Sequence, residues 1–280
     1  MKGEFLVKLG VLVFLNNEVD REIKKVRDLG LDTCQLCCWD KTYFTEEMAQ
    51  KVKDAVKKHN VEITALWCGW EGPAVWNFYG GPITLGLVPP AYRFNRIKTL
   101  CKGSDFAKMI GVKDVITHMG FIPENPNDPD YAGVVQATVF IAQYCKNNGQ
   151  YFLFETGQET PVTLKRLIED TGMDNLGINL DPANLLLYGK ANPVDALDIF
   201  GEYVRGVHAK DGEYPTNGRE LGVEKPLGEG RVNFELLIPK LKKLGYKGAL
   251  TIEREISGEQ QIRDILKGKE FLERIINKLE

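Results

Sequence analysis

Four short apolar runs in the second half of the chain each end in a side chain able to ligate a metal. They are Tyr151-Phe-Leu-Phe-Glu155, Gly177-Ile-Asn-Leu-Asp181, Val204-Arg-Gly-Val-His208 and Ala249-Leu-Thr-Ile-Glu253. The acidic and imidazole groups are spaced 26, 27 and 45 residues apart. That is about the length of one strand–helix unit, the last with an insertion. In a parallel barrel the carboxyl ends of successive strands converge on one mouth. Two Glu, one Asp and one His there make a mixed oxygen and nitrogen shell suited to a divalent cation such as Mn²⁺, Mg²⁺, Co²⁺ or Zn²⁺. Each residue also has a plainer reading. A strand-end carboxylate can cap the next helix or pair with an Arg, Asp181 before Pro182 can open a turn, and His208 can be a satisfied loop histidine. Four such groups at consecutive strand ends favour the metal. His118, one of only three histidines, ends a run in the same way, whereas His59 closes a helical pattern and reads as structural.

The elements that must position these groups alternate regularly. Apolar runs at Phe5–Phe14, Asp32–Cys38, Val61–Cys68 and Val112–His118 precede the four above, and amphipathic stretches lie between them. Thr45 and Thr160 stand where helix caps are needed, with Pro161 suited to a first helical position. Gly30 and Gly111 stand where helices must stop. Strand then helix, eight times, predicts an α/β fold, a single (β/α)8 TIM barrel spanning 1–280 as one domain, with the metal site at its C-terminal mouth.

Two segments interrupt the rhythm. Residues 67–92 form a long loop rich in Gly, Pro and aromatic residues, among them Trp70 and Trp76; residues 211–230 form a second, containing Arg219. Long loops in compact domains are usually functional. Trp70 and Trp76 either stack on the apolar face of a sugar or pack as a lid or a subunit contact, since aromatic residues also mark interfaces. A dimer or tetramer is compatible with the latter.

Composition narrows the class. With 43% hydrophobic and 27% charged residues and a net charge of −3, the chain reads as globular, with no general attraction for nucleic acid. The first ten residues lack a signal-peptide core, and no apolar run is long enough to span a bilayer, so the expected location is cytoplasmic. The six cysteines, including Cys34-Gln-Leu-Cys37, lie mainly in apolar runs and read as reduced core thiols, because no second CxxC follows.

The segments Phe154-Glu-Thr-Gly-Gln-Glu-Thr-Pro161, Asp181-Pro-Ala-Asn-Leu185, Val207-His-Ala-Lys-Asp211 and Leu250-Thr-Ile-Glu253 resemble the sugar-phosphate isomerase/epimerase family with the xylose-isomerase-like barrel. The likeness covers nearly the whole chain and is specific in its second half. It implies that Glu155, Asp181, His208 and Glu253 bind one divalent ion, often Mn²⁺ or Co²⁺. It further implies that Glu155 and Glu253 are the catalytic acid/base pair. The implied reaction is proton abstraction beside the carbonyl of a ketose or related sugar, phosphorylated or not, through a cis-enediolate. His118, Glu159, Asn184, Lys210, Arg219, Trp70 and Trp76 are the expected substrate-binding residues. Ketose 3-epimerases of the family carry His where this chain has Asn184, match Glu159 only approximately, and carry an Arg where Tyr214 stands. Lys210 and Arg219 are therefore the nearest cations for a hydroxyl or a phosphate, or are solvated loop charges. A dehydratase of an inosose-type cyclic polyol would begin with the same proton abstraction. A non-catalytic sugar-binding barrel and an endonuclease-four-type DNA repair enzyme are further readings. Three histidines and an acidic balance count against the last.

Overall fold

The computed structural model describes residues 7–279. The amino-terminal stretch read above for a leader, together with Phe5 and Leu6 of the first apolar run, lies outside them apart from Val7–Gly10. The elements in order are β1 (Leu9–Phe14), α1 (Val19–Asp28), β2 (Thr33–Cys38), α2 (Glu46–His59), β3 (Glu62–Cys68), α3 (Gly81–Thr84), α4 (Pro90–Met109), β4 (Asp114–His118), α5 (Pro129–Asn147) and β5 (Tyr151–Glu155). They continue with α6 (Pro161–Thr171), β6 (Leu176–Leu180), α7 (Pro182–Leu187), α8 (Pro193–Phe200), β7 (Val204–Ala209), β8 (Asp211–Gly212), β9 (Glu224–Lys225), α9 (Phe234–Lys243), β10 (Leu250–Ile252) and α10 (Glu259–Asn277). Strands β1 to β7 and β10 close a parallel barrel in which β10 joins β7 to β1.

Local chemistry accounts for the boundaries. The Thr45 hydroxyl accepts from Met48 N at 3.2 Å, and Asn60 ends α2 in the left-handed region at φ 52°. Thr160 caps α6, Pro161 opens it, and Gly172 leaves it at φ 62°, a conformation that costs glycine little. Every residue of β2 and β6 is buried, as in strands covered on both faces. Isoleucine, leucine, valine and phenylalanine from strands and helices pack between the two layers, so the strand ends carrying the candidate ligands are held rigidly.

Both long loops are more structured than their sequences foretold. Within residues 67–92, α3 forms, and the fully buried Arg96 of α4 donates to the carbonyls of Glu71 (3.2 Å), Pro73 (2.9 Å) and Gly86 (2.6 Å). One guanidinium thus satisfies three loop carbonyls. In the second loop β8 and β9 pair antiparallel, and the Asp211 carboxylate accepts backbone N–H groups of Gly212, Gly228, Gly230 and Val232. A β-carbon at Gly230 would lie 2.1 Å from Asp211 Oδ1, so this cradle requires glycine. Among the described residues no helix is long and apolar enough to cross a membrane.

Candidate functional site

Glu155 ends β5, Asp181 follows β6, His208 lies on β7 and Glu253 follows β10. One ligand atom from each falls within 4.8 Å of all the others. His208 stands at the centre: its Nδ1 is 3.0 Å from Glu253 Oε2, 3.2 Å from Glu155 Oε1 and 3.8 Å from Asp181 Oδ2. Its other nitrogen, Nε2, is 2.7 Å from Gln35 Oε1 on β2. Gln35 Nε2 in turn donates to Asn179 Oδ1 at 2.9 Å. That second bond orients the amide with its oxygen toward the ring. Nε2 of His208 therefore carries a proton, and Nδ1 is the nitrogen turned toward the three carboxylates, where it can ligate a metal once it gives up its own proton.

Asp181 fills the capping role open to it from sequence and keeps its second oxygen toward the cluster. Its Oδ1 accepts from Asn184 N at 2.8 Å and caps α7, while its Oδ2, fully buried, makes no hydrogen bond. Glu253 Oε2 is likewise buried without a hydrogen bond. Glu155 is held by the Trp67 indole N–H at Oε2 and by Asn184 Nδ2 at Oε1 (3.4 Å), with His118 Nε2 at 3.5 Å.

Electrostatics fit a divalent cation. Lys210 Nζ, only 1% exposed, lies 3.5 Å from Asp181 Oδ2, 3.6 Å from Glu253 Oε2 and 2.8 Å from Glu255 Oε1. Glu155, Asp181 and Glu253 bring three carboxylates together, and the one ammonium beside them, Lys210, is shared with Glu255, so the ligand shell keeps a negative charge that a divalent cation would offset. Burial disfavours ionised Glu155, but His118 and His208 outweigh it and hold that carboxyl below its usual range. Burial is likewise overcome at Glu253 by Lys210 and His208, which keep it ionised. At Asp181 burial wins over Lys210 and raises the pKa. Burial also opposes protonation of His208, yet Glu155 and Glu253 pull its pKa well above the ordinary imidazole value. A proton and a cation compete for the same Nδ1 position.

Glu155 and Glu253 of the cluster open onto a cavity of about 360 Å³ whose wall includes Leu12, Phe14, Trp39, Trp67, Trp76, His118, Leu187, Tyr188 and Leu221, while Asp181 and His208 lie beneath it. Trp76 is 39% exposed and its ring centroid is 5.1 Å from that of His118. Trp70, expected beside it, is 4% exposed and does not line the cavity. Its ring is taken up between Trp39, Trp67 and the Arg96 guanidinium, which sits 5.1 Å over it. Arg219 lies on the exposed part of the second loop, outside the cavity wall, while Lys210 of the same segment is buried beside the ligands. Glu159 is buried behind the wall: Oε1 accepts from Gly157 N at 3.3 Å, Oε2 has no hydrogen bond, and burial pushes its pKa up to about 8.

Residues 23–275 match the xylose isomerase-like TIM barrel. The chain belongs to that family. An uncharacterised protein of Methanocaldococcus jannaschii is 26% identical over 282 residues, covering 95% of this chain and 88% of its own length. The crystal structure of a xylose isomerase domain protein from Planctomyces limnophilus superposes with a TM-score of 0.91 at 34% identity, covering 97% of this chain and 98% of that one. A D-tagatose 3-epimerase-like protein shares the fold at TM-score 0.73 and 20% identity, with 97% of each chain covered.

Within this xylose isomerase-like barrel, several residues at the site carried no sequence signal. Gln35 lies inside an apolar strand, Trp39 and Cys37 near its end, and Glu255 two residues past Glu253. Only barrel closure brings β2 to His208, 173 positions away in sequence. A polar residue inside a wholly buried strand was the one available hint for Gln35, because a buried amide needs partners. Cys37 lines the cavity, and burial raises its thiol pKa well above the ordinary range, which keeps it un-ionised.

Proposed function

We propose that this chain is a divalent-metal-dependent sugar isomerase or epimerase acting on a ketose or related sugar through a cis-enediolate. The observation that supports the reading is His208 Nδ1, turned by Gln35 toward three clustered carboxylates whose negative charge a divalent ion would offset. Glu155, Asp181, His208 and Glu253 would hold the ion. When bound, it supplies polarisation of a carbonyl oxygen and stabilises the negative charge that builds as the neighbouring C–H is lost.

The protein's own residues supply the rest. Glu155 and Glu253 come from strands separated by β6 and β7 and approach His208 Nδ1 from those two strands. Both are held ionised, so one can accept the proton α to the carbonyl and the other can return one, with inversion if the faces differ. The Trp67 indole fixes Glu155 Oε2 and so limits its rotation. On this reading His118, 3.5 Å from Glu155, and Asn184 would hold substrate hydroxyls, and Trp76 on the cavity wall would offer a flat apolar surface to the sugar ring. Lys210 keeps the carboxylates together by charge.

Deuterium exchange in D₂O, with the Mn²⁺-reconstituted protein and a panel of ketoses, aldoses, their phosphates and inososes, tests the proposal. Deuterium at carbon 3 of a ketose with a new epimer supports it. Exchange with loss of water identifies a dehydratase instead. No exchange with metal bound refutes both. Glu155→Gln and Glu253→Gln are each expected to lower exchange at least about 10²-fold while melting cooperatively.

A further inference from the structure

Gln158 stands in the turn between β5 and α6 and is 1% exposed, yet lines the cavity. Neither Nε2 nor Oε1 of its amide makes a hydrogen bond. The Tyr188 hydroxyl lies beside the amide and is the neighbour it would turn to without a ligand. The backbone around it is firmly held. Thr156 Oγ1 donates to Asp181 O and accepts from Asp181 N, both at 2.8 Å, and Thr160 caps α6. The turn thus delivers Gln158 to a fixed place and leaves its side chain unsatisfied there. Buried polar groups are nearly always paired, and an unpaired one weakens the fold, so an amide without a hydrogen bond just beneath a cavity wall marks where a ligand's polar groups belong once the wall side chains turn to admit them.

We propose that Gln158 is a specificity-determining residue that reads a pair of neighbouring hydroxyls on a neutral substrate. This rests on the sugar reading above. A primary amide presents donor and acceptor side by side, so one hydroxyl accepts from Nε2–H while its neighbour donates to Oε1. A phosphate or carboxylate would satisfy only the donor and would set its negative oxygens against Oε1. The cavity wall points the same way. Among the described residues lining it there is no Lys or Arg, whereas Glu155, Glu253 and Glu255 are present. The nearest buried cation, Lys210, is shared among Asp181, Glu253 and Glu255. The substrate is therefore an unphosphorylated sugar or cyclitol.

Thermal melting of wild type and Gln158→Met tests this, with D-fructose, D-tagatose, myo-inositol and D-fructose 6-phosphate as probes. Methionine keeps the side-chain length and removes both polar atoms. Without sugar, Gln158→Met is expected to melt at or above the wild-type temperature. At least one neutral probe should raise the wild-type melting temperature, and the phosphate ester should not. The variant should lose that rise, with binding weakened about tenfold or more. A lower melting temperature or misfolding of the variant would show that the amide serves the fold and would overturn the proposal. So would an unchanged sugar response in the variant, a phosphate ester that stabilises as well as the free sugar, or no response to any probe. Binding that depends on Gln158 without deuterium exchange would sink the isomerase reading alone. Exchange that survives Gln158→Met unchanged would sink this proposal alone.

Discussion

Replacing Gln35 tests whether the metal reading of the cluster is sound, because Gln35 touches no proposed substrate position. Gln35→Met removes the acceptor 2.7 Å from His208 Nε2 and the donor 2.9 Å from Asn179 Oδ1, all within buried side chains. When His208 gives up one of its two protons it is then free to keep the other on Nδ1, beside the three carboxylates, instead of on Nε2, and the cation loses its ligand atom. Loss of such a partner typically costs about 10–100-fold in metal affinity, or about 1.4–2.7 kcal/mol. Two orphaned buried groups further cost the metal-free fold about 1–3 kcal/mol each. Gln35→Glu should behave differently. The carboxylate keeps an acceptor for Nε2–H and adds negative charge near the cation. Asn179 can turn its unpartnered Nδ2 toward that carboxylate. Competition titration of Mn²⁺ and Zn²⁺ against a fluorescent chelator measures both variants. The expected order is Gln35→Glu at or near wild type and Gln35→Met at least about tenfold weaker. Equal affinity in wild type and Gln35→Met, or an equal loss in both variants, would refute the assignment of Nδ1 as a ligand.

Three further outcomes follow from the same geometry. Lys210→Met leaves Asp181 and Glu253 without their buried counter-charge and should destabilise the metal-free protein by about 3–5 kcal/mol, with much of the loss recovered on adding Mn²⁺; melting with and without chelator reads both, and an equal loss in each condition would show that Lys210 does not offset the cluster's charge. Glu159, with its pKa raised by burial to about 8 against about 4.3 in the unfolded chain, stays protonated when folded. The unfolded state therefore holds fewer protons between these values, and stability should fall by about 1.4 kcal/mol per pH unit from about pH 4.3 to 8. Glu159→Gln should flatten that part of the denaturation profile, and an unchanged slope would contradict the protonated state. Trp76→Ala should weaken sugar binding with little change in melting temperature, whereas Trp70→Ala should cost about 3–5 kcal/mol of stability by emptying the space under Arg96; the reverse pattern would exchange their roles.

What the sequence by itself determined was whatever depends on local periodicity. Strand and helix alternate along the chain, caps such as Thr45 and Thr160 are visible as single residues, and the strand-end positions of Glu155, Asp181, His208 and Glu253 follow from where each apolar run stops. Barrel closure then brings those ends together without further information, because parallel strands all point their carboxyl ends the same way. Tertiary structure decided which polar groups meet across the barrel. Lys210 and Arg219 look alike as loop cations, yet one is buried among the carboxylates and the other is exposed. Trp70 and Trp76 look alike as loop aromatics, yet Arg96 claims the first and leaves the second to the cavity. Gln35 fixes the tautomer of His208 from the far side of the sequence, and Asp211 gathers a loop that ends at Val232. The physical reason is the same in each case. A buried charge or amide is stable only with a partner, and which partner is within 3 Å or so is a property of the closed barrel rather than of neighbours along the chain.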